Sequence, residues 1–81
     1  MNRFEDAIAR ELTMRLTAKV RSIRALARWS AASVPPSALT GDAVDLVLER
    51  LGDGDPDELA AAVMAEKPDR FGRNWQSGPA H

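Results

Sequence analysis

The sequence predicts an all-α protein: one long N-terminal amphipathic helix followed by two short helices and an extended, non-helical C-terminal arm. Apolar residues recur every three or four positions over the first part of the chain. Glycines and prolines fall in short clusters between such stretches, and the periodicity disappears after Pro68. The 81 residues allow one domain at most. We expect residues 1–67 to form a single small helical domain, and residues 68–81 an arm that is disordered or ordered on a partner.

The first predicted helix runs from Asn2 to about Ala31. Asn2 is a suitable N-cap, and Glu5 follows at the spacing of a capping box. Neither glycine nor proline occurs between Arg3 and Trp29. At about 1.5 Å per residue, such a helix is about 42 Å long. Its apolar stripe contains Ile8, Ala9, Leu12, Leu16, Val20, Ile23, Leu26 and Ala27.

The second predicted helix begins after Pro35 and Pro36, which force the preceding residue into an extended conformation. Thr40 is the expected N-cap, and Gly52 stands where a helix commonly ends. The spacing of the apolar residues between them is that of one buried helix face. That face contains Val44, Val47, Leu48 and Leu51.

The third predicted helix starts at a turn rich in aspartate. Asp55 is the expected N-cap, Pro56 suits the first helical position, and Glu58 completes the capping-box spacing. The helix is expected to end at about Lys67, because Pro68 stops it. Its thin, alanine-rich face contains Leu59, Ala62 and Val63, with Met64 beside it.

The composition argues against several kinds of site. The chain has no cysteine, and its one histidine is His81, so thiolate metal sites and imidazole catalysis are not expected. Asp53, Asp55 and Asp57 alternate as at the start of a calcium loop, but the sixth and twelfth positions from Asp53 lack the required glycine and glutamate. We therefore expect no catalytic residue, no metal and no cofactor.

The expected location is the bacterial cytoplasm. The sequence contains no apolar run near the ~18 residues of a membrane span and no signal-peptide core. The alanine- and arginine-rich composition, without tyrosine or cysteine, is typical of GC-rich bacterial coding sequences. Membrane binding is not expected.

The net charge of −1 conceals a strong asymmetry. Residues 1–30 hold seven basic and three acidic side chains, whereas residues 31–66 hold one basic and eight acidic ones. Several arginines lie beside the apolar stripe of the first helix. This basic face has three interpretations: pairing with the acidic second helix of the same chain or of a symmetric neighbour, docking on an acidic patch of another protein, or binding phosphate in nucleic acid or lipid headgroups.

The predicted first helix is longer than a domain of this size, so we expect it to form an interface. Three sets of residues are expected to bind the partner. Leu12, Leu16, Val20 and Ile23 would supply an apolar seam, Arg21, Arg24 and Arg28 would orient the partner by charge, and Phe71 with Trp75 would anchor the arm. The alternative for Trp75 is that it folds back to close the core of its own chain.

These features predict a small non-catalytic protein-interaction module. It would serve as an accessory subunit of a larger bacterial enzyme or assembly, or as an antitoxin- or adaptor-like binder. Its partner would be a larger protein, a second copy of the chain, or both. The alternative is a small nucleic-acid-binding regulator that uses the basic face of the first helix.

Overall fold

The computed structural model describes residues 3–66, and all regular secondary structure in that range is helical, so the all-α prediction is confirmed there. The predicted N-cap Asn2 and the predicted arm at 68–81 lie outside the described residues. The four helices are α1 (Arg3–Arg15), α2 (Val20–Ser33), α3 (Thr40–Leu51) and α4 (Pro56–Glu66).

The single long helix expected at the N-terminus is wrong, because the chain forms two helices there. α1 ends at Arg15, and Lys19 has extended backbone angles of φ −66° and ψ 150° before α2 begins. The two helices fold back on each other. Arg24 Nη1 lies 3.1 Å from Asp6 Oδ1, whereas 18 residues of continuous helix would separate them by about 27 Å.

Burial explains why the helix breaks without a glycine or proline. A continuous helix would have only α3 and α4 to cover its apolar stripe, but a hairpin also lets its two halves cover each other. Ile8 and Leu12 of α1 are fully buried in the same core as Ile23 and Leu26 of α2. The connecting residues also include Thr17, whose β-branched side chain favours helix less than leucine or alanine does.

Helix α2 is central, because it packs against each of the other three helices, while α1 also packs against α3. Two residues expected on apolar faces, Val20 and Ala62, are instead exposed. Leu48 and Leu59 pack against the edge of the core. The core itself contains Ile8, Leu12, Ile23, Leu26, Ala27, Ala43, Val44, Val47, Ala60 and Val63.

Helix α3 begins one residue earlier than expected, with Leu39 and not Thr40 at its N-cap. The Leu39 carbonyl accepts hydrogen bonds from the amides of Asp42 and Ala43, at 3.0 and 3.4 Å. The Asp42 carboxylate accepts one in return from the Leu39 amide, at 3.0 Å. This reciprocal bond fixes the helix start without a hydroxyl cap.

The predicted end of α3 is confirmed. Gly52 has a φ of 55°, and its amide donates to the Leu48 carbonyl at 3.0 Å. Glycine adopts a positive φ without the steric penalty that other residues incur there. The chain therefore turns sharply after Leu51.

The predicted start of α4 is also confirmed. Asp55 precedes the first helical residue, Pro56, and its Oδ1 accepts a hydrogen bond from the Asp57 amide at 3.0 Å. The Asp55 carbonyl accepts from the amides of Glu58 and Leu59. The helix extends to Glu66, the last described residue, and its expected end at Lys67 lies outside the described range.

Candidate interaction surface

The structure divides the predicted apolar seam between core and surface. Leu12 and Ile23 are 0% and 4% exposed, and they contact neighbours within their own chain. Leu16 is half-buried at the edge of the core, and Val20 is 78% exposed. Two of the four seam residues are therefore accessible to a partner.

Two arginines of the predicted basic face are paired with acids of α1. Arg24 Nη1 lies 3.1 Å from Asp6 Oδ1, and Arg28 Nε lies 3.8 Å from Glu5 Oε2. These pairs join α2 to α1, not to the acidic α3. Both ion pairs require the N-terminal segment to fold into a hairpin. The sequence predicted a continuous helix there, so it did not predict these pairs.

Three other arginines of this half of the chain remain unpaired within residues 3–66. Arg3 and Arg10 on α1 and Arg21 on α2 are exposed and make no ion pair with another residue of that range. Of the predicted orienting residues, Arg21 is thus unpaired there while Arg24 and Arg28 are paired. The remaining predicted anchors, Phe71 and Trp75, lie outside the described residues.

An open groove of about 460 Å³ lies between α1 and the start of α2. Its walls combine an apolar surface with a charged rim. The apolar lining is Ala9, Leu16, Ala18, Val20 and Ile23, and the polar lining is Asp6, Arg10, Thr13 and Arg24. The groove forms because the chain reverses direction at residues 16–19. A continuous helix, as predicted from the sequence, would have no such groove. We refer to it as the basic groove.

A second surface on α3 has the opposite charge. Leu39 is 72% exposed, and Leu46, seven residues later, is half-buried and lies outside the core cluster. Three exposed acids flank these leucines: Asp42, Asp45 and Glu49. We refer to these five residues as the acidic ridge. The nearest basic residue in sequence is Arg50, whose guanidinium carbon lies 5.6 Å from the centre of the Trp29 ring.

Two of the three alternating aspartates act as helix caps. Asp55 caps α4, while the Asp57 carboxylate reaches across to α2 and accepts a hydrogen bond from the Lys19 amide at 3.1 Å. Hydrogen bonds from the Ser22 side chain and the Lys19 amide, together with the Lys19 charge, lower the pKa of Asp57. Over residues 3–66, no three carboxylates or histidines come together as metal ligands.

In the described range, 3–66, no helix is both long enough and apolar enough to span a bilayer. Comparison of the chain with protein-family models, curated proteins and solved structures gives no match.

Proposed function

We propose that this chain is a small non-catalytic protein-interaction module that binds an acidic amphipathic helix in the basic groove. The observation that carries the proposal is the position of Val20. This side chain is 78% exposed and lines the groove together with Leu16, Arg10 and Arg24. Protein interfaces combine an apolar centre with charged groups that orient the partner, and the groove offers both.

The charges support a protein partner over nucleic acid. Phosphate binding depends on cations that are available to replace counterions, but Arg24 and Arg28 already face carboxylates of α1. An acidic helix with exposed leucines suits the groove better, because its leucines cover the apolar wall while its carboxylates face Arg10.

In a cell, such a module acts as an accessory subunit of a larger bacterial enzyme or assembly, or as an antitoxin- or adaptor-like binder. The groove accounts for one contact. The predicted anchors Phe71 and Trp75 would supply a second contact from the C-terminal arm, which increases affinity when both engage the same partner.

The proposal is tested with a fluorescent helical peptide that has two leucines seven residues apart and glutamates on both flanks. Fluorescence anisotropy should show saturable binding to the wild-type chain. Val20→Asp and Arg10→Glu should each weaken binding about tenfold or more, because they place an acid in the groove. Met14→Asp is the matched control for Val20→Asp, since Met14 is 72% exposed on α1 and does not line the groove.

A peptide with lysine in place of glutamate should not bind. Equal binding of both peptides, or equal loss with Met14→Asp, would contradict the proposal. The nucleic-acid alternative is measured in parallel with labelled duplex DNA and single-stranded RNA. It predicts affinity that falls steeply with salt and disappears when Arg21, Arg24 and Arg28 are replaced by alanine.

A further inference from the structure

We propose that a second copy of this chain occupies the basic groove, by inserting its acidic ridge, so that the protein forms a dimer. This inference rests on the function proposed above and names one partner for the groove. It follows from the presence of both surfaces on the same chain. The acidic ridge of a second copy has acidic and leucine side chains, as does the helix that we propose the groove binds.

The charges of the two surfaces are complementary. The groove presents Arg10, which makes no ion pair within residues 3–66, while its acid Asp6 is already held by Arg24. On the ridge, Asp45 and Glu49 are exposed and likewise make no ion pair within that range. When the ridge of one copy meets the groove of another, its carboxylates can pair with Arg10. None of these groups has an ion-pair partner within residues 3–66 of its own chain.

The apolar parts are complementary as well. Leu39 is the N-cap residue of α3, and Leu46 follows seven residues later, about 10 Å further along the helix axis. Neither belongs to the core cluster or to the side chains packed against it, so Leu39 and the exposed part of Leu46 can meet an apolar surface on another molecule. Leu16 and Val20 provide such a surface on the groove wall. Covering these side chains removes apolar area from water on both molecules.

Every copy carries one groove and one ridge, and the dimer that we propose is the two-fold arrangement in which both contacts form. In a two-fold dimer, the ridge of each copy lies in the groove of the other, which gives two equal contacts. The contact joins partly exposed surfaces of two molecules that each have their own core, so we expect association in the micromolar range.

Sedimentation velocity over a range of protein concentrations tests the inference. The wild-type chain should shift from monomer to dimer as its concentration rises, and added salt should reverse the shift. Arg10→Glu places an acid in the groove, and the double variant Asp45→Lys with Glu49→Lys places cations on the ridge. Each variant alone should raise the dimer dissociation constant about tenfold or more, because like charges then meet.

Mixing the two variants is the decisive measurement. In the mixed dimer, the groove carrying the new glutamate meets the ridge carrying the new lysines, and the two unchanged surfaces meet each other. The mixture should therefore associate with nearly the wild-type affinity, whereas each variant by itself should not. Arg3→Glu is the charge-matched control on α1, because Arg3 is exposed and does not line the groove, and it should leave dimerisation unchanged.

Circular dichroism verifies that each variant retains its helices, which is expected because the substituted side chains are exposed. A wild-type chain that stays monomeric at every concentration overturns the inference, as does a mixture that fails to associate when the wild type dimerises. If the chain is monomeric but binds the acidic peptide, the proposed function stands and the inference alone fails. If it neither dimerises nor binds the peptide, both fail.

Discussion

The Asp57 carboxylate, in the first turn of α4, accepts a hydrogen bond from the backbone amide of Lys19, at the start of α2, at 3.1 Å. The first amides of a helix have no partner within the helix itself, and a side chain usually caps them from the preceding residues. Here the cap comes from a residue 38 positions later in the sequence. The helix break at residues 16–19 and the position of α4 are therefore linked by one bond.

We expect the stability of the fold to depend on the ionisation of Asp57. Its pKa is lowered from the ordinary value of 3.8, so the folded state favours the charged form. The stabilisation is fully present above the ordinary pKa and is lost as the pH falls through the lower pKa of the folded state. Asp57→Ala should therefore lower the free energy of unfolding at pH 7, and by less at pH 3.

Urea denaturation at both pH values measures this difference. Asp53→Ala is the control, because Asp53 is exposed and makes no hydrogen bond or ion pair to another residue of 3–66. Comparing each variant with the wild type at the same pH removes the contribution of the other carboxylates. A loss for Asp57→Ala that is equal at both pH values would contradict the capping role of the charge.

The hairpin of α1 and α2 predicts an energetic coupling between Asp6 and Arg24. Their side chains are 37% and 55% exposed, so a double-mutant cycle to alanine should give a coupling of only about 0.5 kcal/mol, reduced by salt. Asp6 and Arg21 form the control pair and should show none, since no ion pair joins them. Zero coupling for Asp6 with Arg24 would be the result expected of a continuous helix.

Gly52 and Gly41 should respond to alanine in opposite ways. Gly52 has a φ of 55°, so Gly52→Ala should cost about 1 to 2 kcal/mol through backbone strain, although a Cβ there meets no neighbour. Gly41 lies in the first turn of α3 with open space around it, and Gly41→Ala should stabilise by about 0.5 kcal/mol. Chemical denaturation of both variants measures the difference. Similar effects for the two would exclude a special role for the turn at Gly52.

Leu39→Ser should stabilise the monomer by about 1 kcal/mol, because serine at the N-cap can accept a hydrogen bond from the first turn of α3. Little packing is lost, since Leu39 is 72% exposed. Leu39→Ala controls for the loss of the leucine and should change the unfolding free energy little. The measurement is urea unfolding at low protein concentration, where dimerisation does not contribute. If Leu39→Ser is no more stable than Leu39→Ala, the serine side chain does not cap α3 and the prediction is wrong.

The sequence predicted the helical class, the turns before and after α3, and most of the core. Asp55, Pro56 and Gly52 lie where local helix-end rules place them, since those rules depend on nearby residues alone. The break at residues 16–19 was missed because no glycine, proline or strong cap marks it in the sequence. It depends on burial between the two halves of the segment and on Asp57, both of which are set by the tertiary fold. The basic groove was missed for the same reason.

The bond between Asp57 and Lys19 also determines how the molecule opens. If α4 separates from α2, the Lys19 amide loses its acceptor at the same moment as Ala60 and Val63 leave the core. In native-state hydrogen exchange, the Lys19 amide should therefore become accessible together with the interior amides of α4. The last described helix and the beginning of the second would then behave as one cooperative unit, although they are far apart in the chain.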